Sequence, residues 1–458
     1  MTVPVLDRRT AEPPAGEFQV RMVHLGVGAF ARSLPLWLTH RVNHSGSEPW
    51  GVAAFTGRTP HEAALLSRQD GLYHLLTRSD EGDVVERVDC VQEAVAGDQV
   101  GRLALHMADS VVTMVTTTVT EAGYAVGPSG GLDHDALDVK ADRAVLSALL
   151  GLDESSFRVA LDDAALTTAP YRLIAGLELR RRAGHGVPVA IVPCDNLAAN
   201  GRTLRRVLFE AASGSEELMT WLESAIEVAD TVVDRITPAA GVQDREIVRQ
   251  ISGFDDRAAV VTEPYFDVTI AGQSTLRPAW EAVGGRAVDD VEPYERRKLW
   301  LLNGAHTLLA HAGRLRGHRF VHEAVMDPEL LGWLQRWWDE ASAGLPQDLN
   351  LDTYRDSLLR RFANQRLPHR LDQIAIDTEI KLGIRVVPVV RQGLALKRAI
   401  TGGLYVLAAW AVDTAVPGSA DNIDDRFETL APGLLDHIAV RDQLEQLIAL
   451  LNGTRREV

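Results

Sequence analysis

Apolar residues follow two different rhythms along this chain. Up to about Val291 they come in short runs closed by glycine or polar turns, with helical periodicities between the runs. Gln19–Leu25, Trp50–Phe55, Val111–Val115, Val187–Val192 and Val260–Phe266 read as strands, and Asp230–Pro238 as a short extended piece. Between them, His61–Ser67 and Thr168–Arg182 read as helices, the second with Pro170 in its first turn, and Gly127–Asp135 as an exposed loop. Strands alternating with helices predict an α/β layer with a parallel sheet. Beyond Val291 helical patterns take over: Pro328–Glu340, Asp352–Phe362, Gly393–Thr401 and Arg441–Leu451. Gly403–Val412 is apolar throughout, too short to span a bilayer, and reads as a buried core helix. The expected organisation is a flexible lead over 1–18, an α/β nucleotide-binding domain over 19–288 and a mostly helical domain over 289–458.

Two stretches carry candidate chemistry. The first strand runs into Gly26-Val27-Gly28-Ala29-Phe30-Ala31-Arg32, which fits G-x-G-x-x-A between a strand and a helix. Glycines there allow a tight turn and let a pyrophosphate approach the backbone. Methyltransferases use a similar first loop, so the motif alone leaves dinucleotide and other nucleotide ligands open. The second strand ends at Thr56-Gly57-Arg58-Thr59-Pro60, where an NAD site usually carries an acid for the ribose hydroxyls. None stands there, and Thr56, Arg58 and Thr59 suit a 2′-phosphate, so NADP stays open beside NAD; a plain polar turn is the bland alternative. A polar strand end at Thr118-Val-Thr120-Glu121-Ala-Gly123-Tyr124 is of the kind that binds ligands at the carboxyl edge of a parallel sheet.

The second stretch is Lys298-Leu-Trp-Leu-Leu-Asn303-Gly-Ala-His306, free of proline and read as helix. At about 100° per residue, Lys298, His306 and Asn303 fall at roughly 0°, 80° and 140° around the axis. They share one broad face and supply an amine, an imidazole and an amide. An amine that can lose its proton, beside an amide that donates to a developing alkoxide, suits oxidation of an alcohol to a ketone. The competing reading is an ordinary solvated lysine with two helix residues satisfying neighbours.

Composition narrows the partners. A formal net charge of -16 argues against a nucleic-acid backbone or an anionic membrane, though a local cluster of cations can still hold a small anion. Cys90 and Cys194 show no metal-type spacing and fit a reducing compartment, and Met1–Gly16 has no apolar core of a signal peptide. A cytoplasmic protein acting on a small molecule, as a monomer or small homo-oligomer, is the expectation.

Taken together the motifs resemble the mannitol dehydrogenase family of polyol-specific long-chain dehydrogenases. Those that carry the likeness are Gly26-Val-Gly28-Ala-Phe30, Gln69-Asp-Gly-Leu-Tyr73, Thr118–Tyr124, Cys194-Asp195-Asn196 with Asn200-Gly201, Asp234-Arg235-Ile-Thr-Pro238, and the K-x4-N-x2-H pattern at Lys298, Asn303 and His306. The resemblance implies a Rossmann-like domain followed by a helical domain similar to the C-terminal domain of 6-phosphogluconate dehydrogenase, with NAD as cofactor and no catalytic metal. It makes Lys298 the general base, Asn303 and Asn196 the oxyanion hole, and His306 and Asp234 holders of substrate hydroxyls. Cofactor contacts are expected at Gly26, Gly28, Phe30, Arg32, Arg58, Thr118, Glu121 and Asp195. Within the family, Leu367-Pro-His369-Arg370-Leu-Asp-Gln373-Ile-Ala is similar to the D-fructuronate reductase (D-mannonate oxidoreductase) branch, and Arg370, Lys381 and Arg385 are its candidate cations for a uronate carboxylate. A mannitol or arabinitol 2-dehydrogenase is the alternative enzyme, and a non-catalytic dinucleotide sensor the alternative from another class. One departure stands out: the family's two histidines after the glycine turn are replaced by Ala31 and Leu34.

Overall fold

In a computed structural model, residues 3–13, 15–184, 186–415 and 423–454 are described, and the chain divides into two compact units, Met1–Val291 and Glu292–Val458. In the first unit β1 (Val20–Leu25) and β2 (Gly51–Phe55) lead into a hairpin of β3 (Tyr73–Ser79) and β4 (Gly82–Val88). Then come β5 (Val91–Val95), β6 (Met114–Thr117), β7 (Val189–Pro193) and β8 (Ile226–Val228). The main sheet is parallel and runs β5-β2-β1-β6-β7-β8, the doubly wound order once the hairpin is set aside. Both faces are buried. Val23, Leu25, Ala53, Phe55, Val115 and Ile191 enter one apolar cluster, and their neighbours Met22, Val52, Ala54, Met114, Ala190 and Val192 enter the other. This is why the strands read as unbroken apolar runs. Two small sheets complete the unit: β10 (Val260–Thr262) extends the hairpin beside β3, and β9 (Thr231–Asp234), β11 (Asp267–Ala271) and β12 (Arg286–Val288) form the other.

Several local expectations are corrected. The strand expected over Val111–Val115 starts only at Met114, because Asp109 folds the preceding residues into a turn that takes the Val112 N–H at 3.1 Å. The β3–β4 hairpin was not legible, its apolar positions being interleaved with Arg78, Asp83, Glu86 and Arg87. The lead expected over 1–18 makes contacts with the unit through its described residues: Leu6 and Ala11 are buried, and Arg8 donates to the carbonyls of Asp89 and Val91 at 3.0 and 2.8 Å.

All the regular elements of the second unit, among its described residues, are helices. Its centre is the helix Thr401–Asp413, buried from Gly402 to Val412. The helix expected over Gly393–Thr401 does not exist as one element. The helix Val387–Ala395 ends there, Lys397 takes φ +53°, and the Arg398 N–H returns to Gly393 O before the central helix begins. No helix of the described residues is long and apolar enough to cross a membrane.

Candidate functional site

The order of the main sheet reverses between β1 and β6, and the crevice beyond their carboxyl ends is a cavity of about 610 Å3. Leu25–Gly28 form one wall, Thr118–Thr120 with Ala122 and Gly123 another, and Thr56–Thr59 a third. Gly26 has φ +104°, and a Cβ on it would lie 2.6 Å from Thr118 O, so only glycine permits this approach of the two strand ends. A Cβ on Gly28, by contrast, would meet nothing nearer than Gly26 O at 3.8 Å; its open side belongs to the cavity. The Thr118 hydroxyl donates to Gly26 O at 2.8 Å and accepts from His24 Nε2 at 3.1 Å. Burial pulls the His24 pKa down to about 4, so this imidazole is neutral. The turn after β2 is braced by Arg172, which is buried and donates to Gly57 O at 2.7 Å and Leu166 O at 2.8 Å.

Of the expected cofactor residues, Gly26, Gly28, Arg58 and Thr118 line this cavity. Phe30, Arg32 and Asp195 lie elsewhere. Phe30 packs against the apolar cluster of one sheet face. Arg32 is buried beneath the turn, donating to Gly28 O at 3.2 Å and to Ala258 O while pairing with Glu62. Asp195 accepts from the Tyr124 hydroxyl at 2.5 Å, which anchors the loop that carries Asn196. The side chain of Glu121 is outside the described residues. Ala31 and Leu34, where the resemblance leads one to expect histidines, are fully buried in the core and do not line the cavity. Sequence reasoning missed Glu62 and Arg172 in the lining; neither belongs to the glycine motif or the strand ends.

A second set of residues is prepared in the same unit. Asn200 is a buried amide that accepts from the Thr231 N–H at 2.8 Å and donates to Thr231 Oγ1 at 3.0 Å and Pro193 O at 3.3 Å. It thereby knots the end of β7, which leads into the exposed Asn196, to β9, which ends at the buried Asp234.

In the helical unit, Lys298–Asn303 is not α-helical. It forms a π turn, with the Gly304 N–H donating to Leu299 O, followed by the α-helix Gly304–Leu315. Constant α-helical pitch is therefore the wrong ruler for this stretch. A π turn absorbs one residue, so Lys298, Asn303 and His306 are phased as if four and seven positions apart on a regular helix, within roughly 60° of one another. Two indoles hold the turn: Trp337 Nε1 donates to Trp300 O at 3.0 Å and Trp338 Nε1 to Leu301 O at 2.8 Å. Gly304 makes room for them, since a Cβ there would lie 2.5 Å from the Trp337 ring.

His306 stands at the centre of a cluster drawn from several helices. Its ring lies 4.8 Å from that of Phe362 and 5.1 Å from that of His369, and its Nε2 is buried with no hydrogen-bond partner among the described residues. Burial, and then the charges of His369, Arg361 and Arg385, hold its pKa well below the ordinary value, so it is neutral. Arg385 is half-buried; burial lowers its pKa to about 10, its Nη1 donates to Thr307 Oγ1 at 3.3 Å, and its Nε is buried with no partner. Among the described residues no carboxylate pairs with it. Of the other expected cations, Lys381 is spent on the carbonyls of Ile374 (3.3 Å) and Ile376, and Arg370 is exposed and paired with Asp372 at 2.9 Å. The residues missed were His369, Arg361, Phe362 and the tryptophan pair. In the His369-Arg370 dipeptide the charged residue drew the reading, and its neighbour is the one beside His306.

A family profile described as the mannitol dehydrogenase Rossmann domain matches residues 20–282, and one described as the mannitol dehydrogenase C-terminal domain matches residues 290–426. The chain belongs to the mannitol dehydrogenase family. Within it, the chain is 30% identical to a D-arabinitol 4-dehydrogenase of Ralstonia nicotianae over 86% of its own length and 84% of the relative's. It is also 30% identical to a D-mannonate oxidoreductase of Escherichia coli K12, over 81% and 75%. The solved structure of Pseudomonas fluorescens mannitol 2-dehydrogenase, a ternary complex with NAD and D-mannitol, superposes with a TM-score of 0.79 at 26% identity, covering 98% of this chain and 97% of that one. The chain is thus a mannitol dehydrogenase-family oxidoreductase acting on CH–OH groups, with the Rossmann-like and helical units of that family.

Proposed function

We propose that this protein is an NAD-dependent dehydrogenase that interconverts a secondary alcohol and a ketone on a sugar acid, D-mannonate and D-fructuronate being the pair that fits best. The observation that carries the sugar-acid reading is Arg385: a half-buried guanidinium near His306, its Nε buried without a partner and with no carboxylate of its own among the described residues. Keeping a cation out of water is costly unless something anionic compensates it, and a substrate carboxylate does so.

The cradle fits a dinucleotide, because the open side of Gly28 and the bare backbone of the Gly26 turn admit a pyrophosphate. NAD bound there supplies the hydride acceptor for oxidation and the donor for reduction. The protein's part is proton and charge handling. Lys298 Nζ takes the hydroxyl proton as the C–H pair leaves carbon, and returns it in the reverse direction. The Asn303 amide donates to the same oxygen as negative charge grows on it, and Asn196 keeps the role of second amide that the resemblance gives it. His306, neutral and with a buried Nε2 to offer, holds a substrate hydroxyl, as does Asp234. Arg58, at the edge of the cradle where an acid usually stands, is the residue through which NADP would be accepted.

The test is NADH and NADPH oxidation with D-fructuronate, D-tagaturonate, D-fructose and D-xylulose in parallel, for the wild type and Arg385→Leu. Loss of one charge-assisted contact should raise KM for D-fructuronate about tenfold to a hundredfold, while Arg370→Ala, on the surface, should change it by less than about twofold. A preference for D-fructose or D-xylulose that Arg385→Leu leaves untouched would overturn the sugar-acid reading in favour of a polyol dehydrogenase. The arabinitol and mannitol relatives, equally similar in sequence or in fold, are what keep that second reading in the test.

A further inference from the structure

On the nucleotide-binding unit, away from the residues of the cradle, His40, His44 and Asp89 bring two imidazoles onto one carboxylate oxygen. His40 Nδ1 lies 2.8 Å and His44 Nε2 3.3 Å from Asp89 Oδ1, and the three atoms all lie within 4.8 Å of one another. We infer that these three side chains form a binding site for a divalent transition-metal ion of zinc type, with water completing the coordination.

The local sequence explains why the three converge. His40 lies in the helix Pro35–Asn43, and His44 extends it by one residue, its N–H still bonded to His40 O at 3.2 Å. Residues four apart on a helix present the same face, and the two rings are 4.4 Å apart by centroid. Asp89 comes from the tight link between β4 and β5, which faces that helix. A tetrahedral ion with bonds of about 2.0–2.2 Å holds its ligand atoms roughly 3.3–3.5 Å apart; the two Asp89 spacings of 2.8 and 3.3 Å lie within a fraction of an ångström of that, and the two imidazole nitrogens, within 4.8 Å of one another, come to it by a turn of the exposed His44 ring. One imidazole on a carboxylate is an ordinary hydrogen bond; two on the same oxygen make the ligand triangle.

The surroundings are those of a metal site rather than of a chance cluster. Ligating histidines are usually oriented by a carboxylate on their other ring nitrogen. Here Glu86 Oε1 lies 3.5 Å from His40 Nε2, and Glu86 is itself fixed by the Trp37 indole at 2.8 Å. The second oxygen of Asp89 accepts the Gly16 N–H at 3.1 Å, which leaves Oδ1 to face the imidazoles. Access is provided as well: His40, His44 and Asp89 line an open cleft of about 860 Å3, in which Asp89 and His40 are buried and His44 exposed. Two histidines and a carboxylate are the donor set of a borderline cation; calcium or magnesium would call for oxygens. Among the described residues this is the only group of histidine, cysteine, aspartate and glutamate side chains gathered closely enough to hold an ion.

The site shares no residue with the proposed hydride-transfer machinery, so its role is to clamp the helix after the glycine turn to the β4–β5 link. The experiment uses the full, untagged protein, stripped with a chelator and titrated with Zn2+ by calorimetry, with melting followed in parallel. The expected result is one equivalent bound and a rise in Tm at saturating Zn2+. His44→Ala removes an exposed ligand without opening the core, and Asp89→Asn keeps the shape but not the charge; each should weaken Zn2+ at least about tenfold to a hundredfold. NADH affinity, unchanged in the variants, certifies the fold. Wild-type protein that takes up no Zn2+, or a folded His44→Ala that binds it as tightly as wild type, would overturn the proposal.

Discussion

The cradle and the His306 cluster solve opposite problems. The cradle is made largely of backbone: a few consecutive residues at the ends of β1, β2 and β6, with glycines where a side chain would intrude. Its buried cations, Arg32 and Arg172, are satisfied by backbone carbonyls and Glu62, and its buried imidazole, His24, has a hydroxyl for its Nε2 and carries no charge. The His306 cluster is made of side chains drawn from distant points, His306 and Thr307, Arg361 and Phe362, His369 and Arg385, and it keeps cations in a poorly hydrated place. A backbone site tolerates exchange of the residues beneath it. Ala31 and Leu34, where the resemblance leads one to expect histidines, are buried and do not line the cavity. A side-chain site has no such latitude, and differences of substrate within the family are to be sought there.

Three experiments sharpen or break that contrast. The largest effect is expected from Lys298→Met: a fall in kcat of about a thousandfold or more with NADH affinity intact, read from stopped-flow turnover beside a nucleotide titration, since general-base catalysis is worth about 10²–10⁴. Equal losses of turnover and of NADH binding would mean that the two regions are not separable. The next concerns pH. The folded-state pKa of His24 is lowered to about 4, from an unfolded value near 6.5, so the unfolded chain binds the proton more readily between those values. Stability is full above about pH 6.5 and falls as pH drops towards 4, by about 3 kcal/mol from this group. Urea midpoints across that range should show the fall, and His24→Gln should flatten it by about that amount; an unchanged slope would place the buried proton demand elsewhere, His306 first. The smallest effect is expected from Gly26→Ala, where the added Cβ forces Thr118 back. NADH affinity should drop about tenfold to a hundredfold with kcat at saturating NADH little changed, and a variant that binds NADH normally would show that the turn yields more easily than its geometry implies.

How far the sequence could be read follows the same division. The parallel sheet was legible because strands buried on both faces are written as apolar runs, and the glycine turn because backbone demands leave a residue signature. The hairpin and β5, half exposed and rich in charge, left none. In the helical unit the identities Lys298, Asn303 and His306 stood out from their spacing. What spacing could not convey was direction: Arg370 and Arg385 look alike in a sequence, yet one is a surface partner of Asp372 and the other lies beside His306. Nor could it convey that Trp337 and Trp338, far along the chain, hold the backbone between Lys298 and Asn303.

The π turn has a consequence for anyone who would transplant this chemistry. Copied onto a regular helix with its native numbering, the Lys-Asn-His set would be scattered over roughly 140° of the circumference, with the amine and the amide aimed at different neighbours. The graft has to omit one residue between Lys and Asn, or else carry along the pair of indoles and the glycine that make the slip in phase possible. A design library searched for the literal spacing would therefore pass over the scaffolds best able to present it.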